Sequence, residues 1–360
     1  MMHRSLASVG LAVLLAILVF AGAPMAGQAP APAAKANGAA AKAYVQTKTP
    51  DGQPDLQGYW TVSTYVPFER PNNVTKEFYT PAEMAKIEQD EAVVEEHHRL
   101  AKPGDPGDVH YDRTQFGLTR SQIRFARNLR TSLIYDPPDG RIPPQTAEAQ
   151  KRNAEIAAAR KRRGGELDAV QNMAFDDRCV MFPGHQPPLF HSGYFPNYQI
   201  IQSPGYVTIL TETLHDARII PLDGRPFSPS SVRSWTGISR GHWEGNTLVV
   251  ETRNTNGKIQ SAASGPMSQQ SIVGASEDMR LTERFTRVGA DAIEYRFTIE
   301  DPKTWTKPWS AEVPFVKMEI QGPFFEHACH EGNKAPTNML SVARFQEKKA
   351  AEAAKKAGSN

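Results

Sequence analysis

This chain says much by what it lacks. Two cysteines in 360 residues exclude a disulfide-dense scaffold and a paired CxxC metal site. It has no CxxCH haem motif, HExxH zinc motif or glycine-rich phosphate loop, and no nucleophile elbow is expected. The simplest routes to several large enzyme classes are therefore closed. An excess of one charge is also missing. Its 41 Lys and Arg stand against 39 Asp and Glu, a formal net charge of +2, so nothing sequence-wide argues for a nucleic-acid partner. No convincing internal repeat is present.

The first segment that is present is an export signal by pattern. His3 and Arg4 form a short basic region, Val9–Phe20 is almost unbroken in its apolar character, and small residues follow from Ala21 to Ala26. That is the layout of a secretory signal peptide over residues 1–27, too short for a comfortable membrane span. A signal anchor is the alternative. Residues 28–50, rich in Ala, Pro, Gly and Lys, read as a disordered tether. The expected mature protein is periplasmic or secreted, monomeric or weakly associated, and without stable membrane insertion.

Residues 51–170 read as helix and loop packed over a later sheet. Thr80, Pro81 and Glu83 form a capping box opening a helix that ends near Leu100. Thr146 starts another helix, ending in the basic group Arg160–Arg163. Residues 171–346 change character. Tyr206–Thr213, His215–Leu222, Thr247–Arg253, Met279–Val288 and Ala292–Glu300 are short β-type runs. Pro204-Gly205, Asp223-Gly224, Glu244-Gly245-Asn246 and Gly289-Ala290-Asp291 read as hairpin connections between such runs. The expected fold is mainly β: an antiparallel meander closed as a barrel or sandwich, lipocalin-like, with N-terminal helical additions. Residues 347–360 are read as a tail, either a frayed helix or solvated chain.

In an oxidising compartment Cys179 and Cys329 are expected to pair, tying the start of the β region to its end. A Cys329 nucleophile beside His330 is the less favoured alternative.

Several stretches carry a resemblance. Leu214–Pro226 (LHDARIIPLDGRP), Gly237–Thr252 (GISRGHWEGNTLVVET), Leu281–Thr286, Glu300–Trp309 and Cys329–Asn333 (CHEGN) resemble the signature of a widespread family of exported bacterial proteins of unassigned activity. The resemblance covers most of the mature chain. It implies export and a shared β-rich fold, and supplies no reaction.

Alternation nominates the chemistry. Leu281, Glu283 and Phe285 share one side of their strand, and Tyr295, Phe297 and Ile299 face the same interior from the next. A carboxyl on such a face either finds a cation or is pushed toward its neutral form, which makes Glu283 the candidate acid or base. The bland reading is a structural ion pair. Asp216 and Arg218 share a face and would orient substrate, while His215 points the other way and, with His330, would relay protons. Trp235, Trp243 and Tyr295 are candidate walls of an enclosed pocket, with Glu331 at its mouth. Gly332 is too close for His327 and His330 to share a helix face as a metal site, so His330 and Glu331 read as hydrogen-bonding groups around the disulfide or polar groups at a cavity mouth, and no metal or cofactor is expected. The functional expectation is a small-molecule protein using cofactor-independent acid–base chemistry as a lyase, isomerase or hydrolase. The alternative is a non-catalytic, lipocalin-type ligand binder. Arg120, Arg124 and Arg127 form a basic stripe at helical spacing, read as a solvated face.

Overall fold

In the computed structural model, residues 44–100, 128–182, 187–190, 197–258, 275–319 and 322–357 are described. The signal peptide, most of the tether, the Arg120–Arg127 stripe and most of 262–276 lie outside them. Among the described residues no helix is long and apolar enough to cross a membrane.

Ten strands form one sheet: β1 (Gly58–Thr61), β2 (Ile134–Asp136), β3 (Asn197–Ser203), β4 (Tyr206–Thr211), β5 (Ala217–Pro221), β6 (Ile238–Glu244), β7 (Thr247–Arg253), β8 (Arg280–Gly289), β9 (Ala292–Glu300) and β10 (Trp309–Lys317). The order is β5-β4-β3-β1-β10-β9-β8-β7-β6, with β2 on the side of β10. Strands β3 to β10 thus follow one another around the sheet, and β1 sits between the first and last of them. The result is a nearly closed antiparallel barrel.

Parity fixes the relative direction of the two strands at the opening. Every neighbouring pair in the ordered path is antiparallel, and the path holds an odd number of strands. Its two end strands, β5 and β6, must therefore run in the same direction. Parallel neighbours need a long return connection, on the order of a dozen residues, and residues 222–237 supply it. Asp223-Gly224 is consequently not the tight hairpin expected, although the other three links are. Strand β5 packs on β6 through side chains. Gly241 makes this approach possible: a Cβ there would lie 2.8 Å from Leu222 Cδ2 and 2.9 Å from Ile220 Cγ2.

Aromatic rings fill the interior. Tyr198 stacks on Phe315 at 5.6 Å, Tyr295 lies 4.6 Å from Phe285 and 5.2 Å from Phe315, and Phe297 meets Trp309 edge-on at 5.7 Å. Leu189 and Phe190 are buried in the same core. Leu189 N–H donates to Tyr295 Oη (2.9 Å), and Tyr198 Oη donates to Phe190 O (3.4 Å). Tyr295, expected to wall an enclosed pocket, is packed within this core.

Among the described residues three α-helices decorate the barrel: α1 (Pro81–Leu100), α2 (Ala147–Arg162) and α3 (Ala335–Ala357). The capping box holds at α1. Thr80 N–H donates to Glu83 Oε2 (2.8 Å), and Glu83 N–H to Thr80 Oγ1 (3.3 Å). Lys76 and then Thr80 keep the Glu83 carboxyl low, at about 2. Residues 51–170 do more than cover the sheet, since they contribute β1 and β2 to it. The boundary expected at 346/347 falls inside α3.

Candidate functional site

The nominated residues separate into two groups. The first is a polar network inside the barrel. Glu283 on β8 is 0 % exposed. Its Oε1 accepts from Arg218 Nη1 (3.0 Å) and from Tyr295 Oη (2.8 Å), and its Oε2 accepts from Arg218 Nη2. Arg218 also donates from Nη2 to Thr252 Oγ1 (2.7 Å) and from Nε to Ser239 Oγ (2.8 Å). One guanidinium on β5 thereby reaches β6, β7 and β8, crossing the seam that has no described backbone ladder. Burial, and then the Glu283 charge, push the Tyr295 hydroxyl well above its ordinary value. It stays a neutral donor to Glu283 while accepting from Leu189. Every member of this network is satisfied from within the protein, as a structural brace requires.

Gly237-Ile238-Ser239-Arg240-Gly241 spells GxSxG, the letters of a nucleophile elbow. Ser239 is nevertheless buried within a strand and bonded to Arg218 and Thr252, not raised on a strand-to-helix elbow.

The second group lines an open cleft of about 520 Å³ at one end of the barrel. Leu214, His215 and Asp216 come from the β4–β5 turn, and Ser234, Trp235 and Thr236 from the approach to β6. Because β5 and β6 are parallel, both approaches arrive at the same end. The remaining wall pairs Cys179–Met181 with Glu326–Glu331, which includes His327 and His330. The Cys179–Cys329 disulfide joins its two halves across a separation of 150 residues. Asn333 Nδ2 reinforces the join by donating to Asp177 O (3.0 Å).

His215 was expected in a strand. Instead Thr213–His215 is a tight 3-10 turn, and β5 begins only at Ala217. Leu214 and His215 both take left-handed backbone, at φ 57° and 53°, and Cys179 does so at 55°. A non-glycine residue pays about 1–2 kcal/mol to stand there. Three of the four such residues among those described line this one cleft, the fourth being Asn254. Strain concentrated in this way is a recurrent mark of functional sites.

Two residues of this region were not assigned roles from the sequence. Burial raises the Glu212 carboxyl, while a hydrogen bond from Asn197 Nδ2 (2.6 Å) and the nearby His215 oppose the shift. His327 accepts Leu214 N–H at Nδ1 (3.0 Å) and meets the Phe182 ring edge-on at 5.2 Å. Only the fold brings this imidazole to that amide, 113 residues away. Burial lowers its pKa.

Of the sequence nominees, His215, Asp216, Trp235, His330 and Glu331 therefore converge in the cleft with the disulfide. Glu283, Arg218 and Tyr295 converge in the barrel. Trp243 joins neither, lying at the far end of β6 against the core. Asp216 lines the cleft while Arg218 turns inward to Glu283, so the two side chains are placed apart. Among the described residues no three His, Cys, Asp or Glu side chains are grouped as a metal site requires. Comparison of the chain with protein-family models, curated proteins and solved structures finds no match.

Proposed function

We propose that the protein is an exported small-molecule-handling barrel whose ligand sits in the cleft at the barrel end, where His215 and His330 supply acid–base chemistry. The observation that carries this reading is the convergence of imidazoles, carboxylates and Trp235 from separate chain segments on a strained, disulfide-pinned wall. Glu212, its carboxyl raised by burial, stands beside His215 just outside the lining of the cleft. Asp216 and Glu331 orient the polar part of the ligand, and Trp235 offers a flat apolar wall. Export is supported by the basic and apolar pattern of residues 1–27 and by the disulfide. The family resemblance fits the same reading: LHDARIIPLDGRP and CHEGN supply cleft residues, and GISRGHWEGNTLVVET builds the β6–β7 hairpin beside the seam.

A non-catalytic binder is the second reading. It is favoured by the interior carboxylate of Glu283, which is neutralised by a fixed partner. Mass spectrometry of small molecules retained by the purified protein tests the common ground. A compound lost from Trp235→Ala and from His330→Ala, but kept by Trp243→Ala, is expected. Conversion of that compound on prolonged incubation separates enzyme from binder. Retention indifferent to both cleft variants would sink the proposal.

A further inference from the structure

The β4–β5 turn contains no glycine, yet two successive residues stand in the left-handed region. Within it His215 N–H donates to Glu212 O (3.2 Å) and Thr211 N–H to Asp216 O (2.9 Å), and the Thr211 hydroxyl is shared between Thr213 O (3.0 Å) and Asp216 O (3.2 Å). Leu214 N–H points out of the turn and is received by His327 Nδ1 at 3.0 Å. His327 in turn lies two residues from Cys329, so the disulfide fixes the segment that holds the acceptor. An imidazole nitrogen accepts a hydrogen bond only while it carries no proton. The neutral tautomer present is therefore the one protonated at Nε2.

We propose that His327 is a positioning residue that latches the cleft wall in a proton-dependent way. Neutral, it accepts Leu214 N–H and holds the strained Leu214–His215 pair in the cleft. When a proton from solvent binds Nδ1, two donors face each other and the turn is released. The geometry alone predicts this sequence of events, and burial supports it by favouring the uncharged ring, whose pKa lies below its ordinary 6.5.

Other charges nearby set the threshold without removing the latch. Glu212, His215 and Asp216 come from the turn, and Glu326, His330 and Glu331 from the latch's own segment. The segment before Cys179 adds Asp176, whose carboxyl is raised by burial, together with Asp177 and Arg178; Arg178 stacks on Phe175. On the Trp235 side, Arg233 is paired with Glu277. Burial disfavours the imidazolium, so release occurs on the acid side of neutrality. The functional consequence, acid-triggered loosening of the ligand site, rests on the cleft reading above; the latch itself does not.

Amide hydrogen exchange at Leu214, expressed as a protection factor, reads the latch without any ligand. In the wild type, protection falls between about pH 8 and about pH 5, approaching tenfold per unit below the histidine's titration, as one-proton linkage requires. His327→Asn places a non-titrating acceptor at the same branch of the side chain. It is expected to retain protection at both pH values, whereas His327→Ala loses it at both. Imidazole nitrogen NMR on the wild type provides a check that needs no variant: Nδ1 of His327 is unprotonated at neutral pH. A flat wild-type profile, a pH response that survives in His327→Asn, or a protonated Nδ1 at neutral pH would overturn the proposal. Loss of ligand retention with the Leu214 response intact would count against the cleft reading alone.

Discussion

Replacing Glu283 by Gln tests the division between brace and cleft. The side chain keeps its shape, but its carboxylate is replaced by an amide that directs two N–H donors into a site built to donate to it. Arg218, whose side chain is 9 % exposed, keeps Ser239 and Thr252 but loses its counter-charge. Breaking a buried ion pair from one side costs about 3–5 kcal/mol, because a desolvated charge is left uncompensated. Domain stability is typically about 5–15 kcal/mol, so this is a large share of it. At roughly 3 °C per kcal/mol for a chain of this size, the melting temperature falls by about 10–15 °C. Urea unfolding is the assay: the midpoint should drop with the slope unchanged. The double variant Arg218→Met/Glu283→Leu removes both charges and should recover much of the loss. Below its melting range, Glu283→Gln should still retain ligand. A loss of stability under about 1 kcal/mol, below the range for a broken buried pair, would refute the brace. Intact stability with ligand lost would return Glu283 to the functional site.

Two further substitutions probe the seam and the turn. Gly241→Val drives side-chain atoms into Ile220 and Leu222 across the β5–β6 closure, and overpacking of this kind should cost about 1–3 kcal/mol in thermal or urea unfolding. His215→Gly and His215→Ala both delete an exposed imidazole, so their difference isolates the backbone strain. The glycine variant should be more stable by about 1 kcal/mol, and equal stabilities would mean that the left-handed turn stores nothing.

How much was readable in the chain varied with how local the determinants are. Thr247–Arg253 and Ala292–Glu300 were legible to the residue, because each is an apolar-rich run opened by a tight turn, and the second alternates strictly. Glu283 and Tyr295 were legible as interior for the same reason. Strand β10 was hidden by Pro314, which argues against a central strand. It is tolerated because β2 pairs at Ser310 and Ala311 and β1 at Val316 and Lys317, leaving Pro314 between them. The β4–β5 turn was unreadable, since no glycine or asparagine marks its left-handed residues and its anchor, His327, is distant in sequence. The seam depended on counting strands around the whole sheet, including β1, which no local pattern supplies. The cleft residues were individually visible but had no shared address until the disulfide and the parallel β5–β6 pair brought them together.

The most direct test of the central claim is the position of the bound compound. With tryptophan indoles labelled, the spectrum of protein carrying its retained compound is compared with that of protein stripped of it. The Trp235 Nε1–H resonance is expected to move while those of Trp243 and Trp309 stay in place. Movement of Trp309 or Trp243 with Trp235 unchanged would put the ligand inside the barrel and contradict the claim.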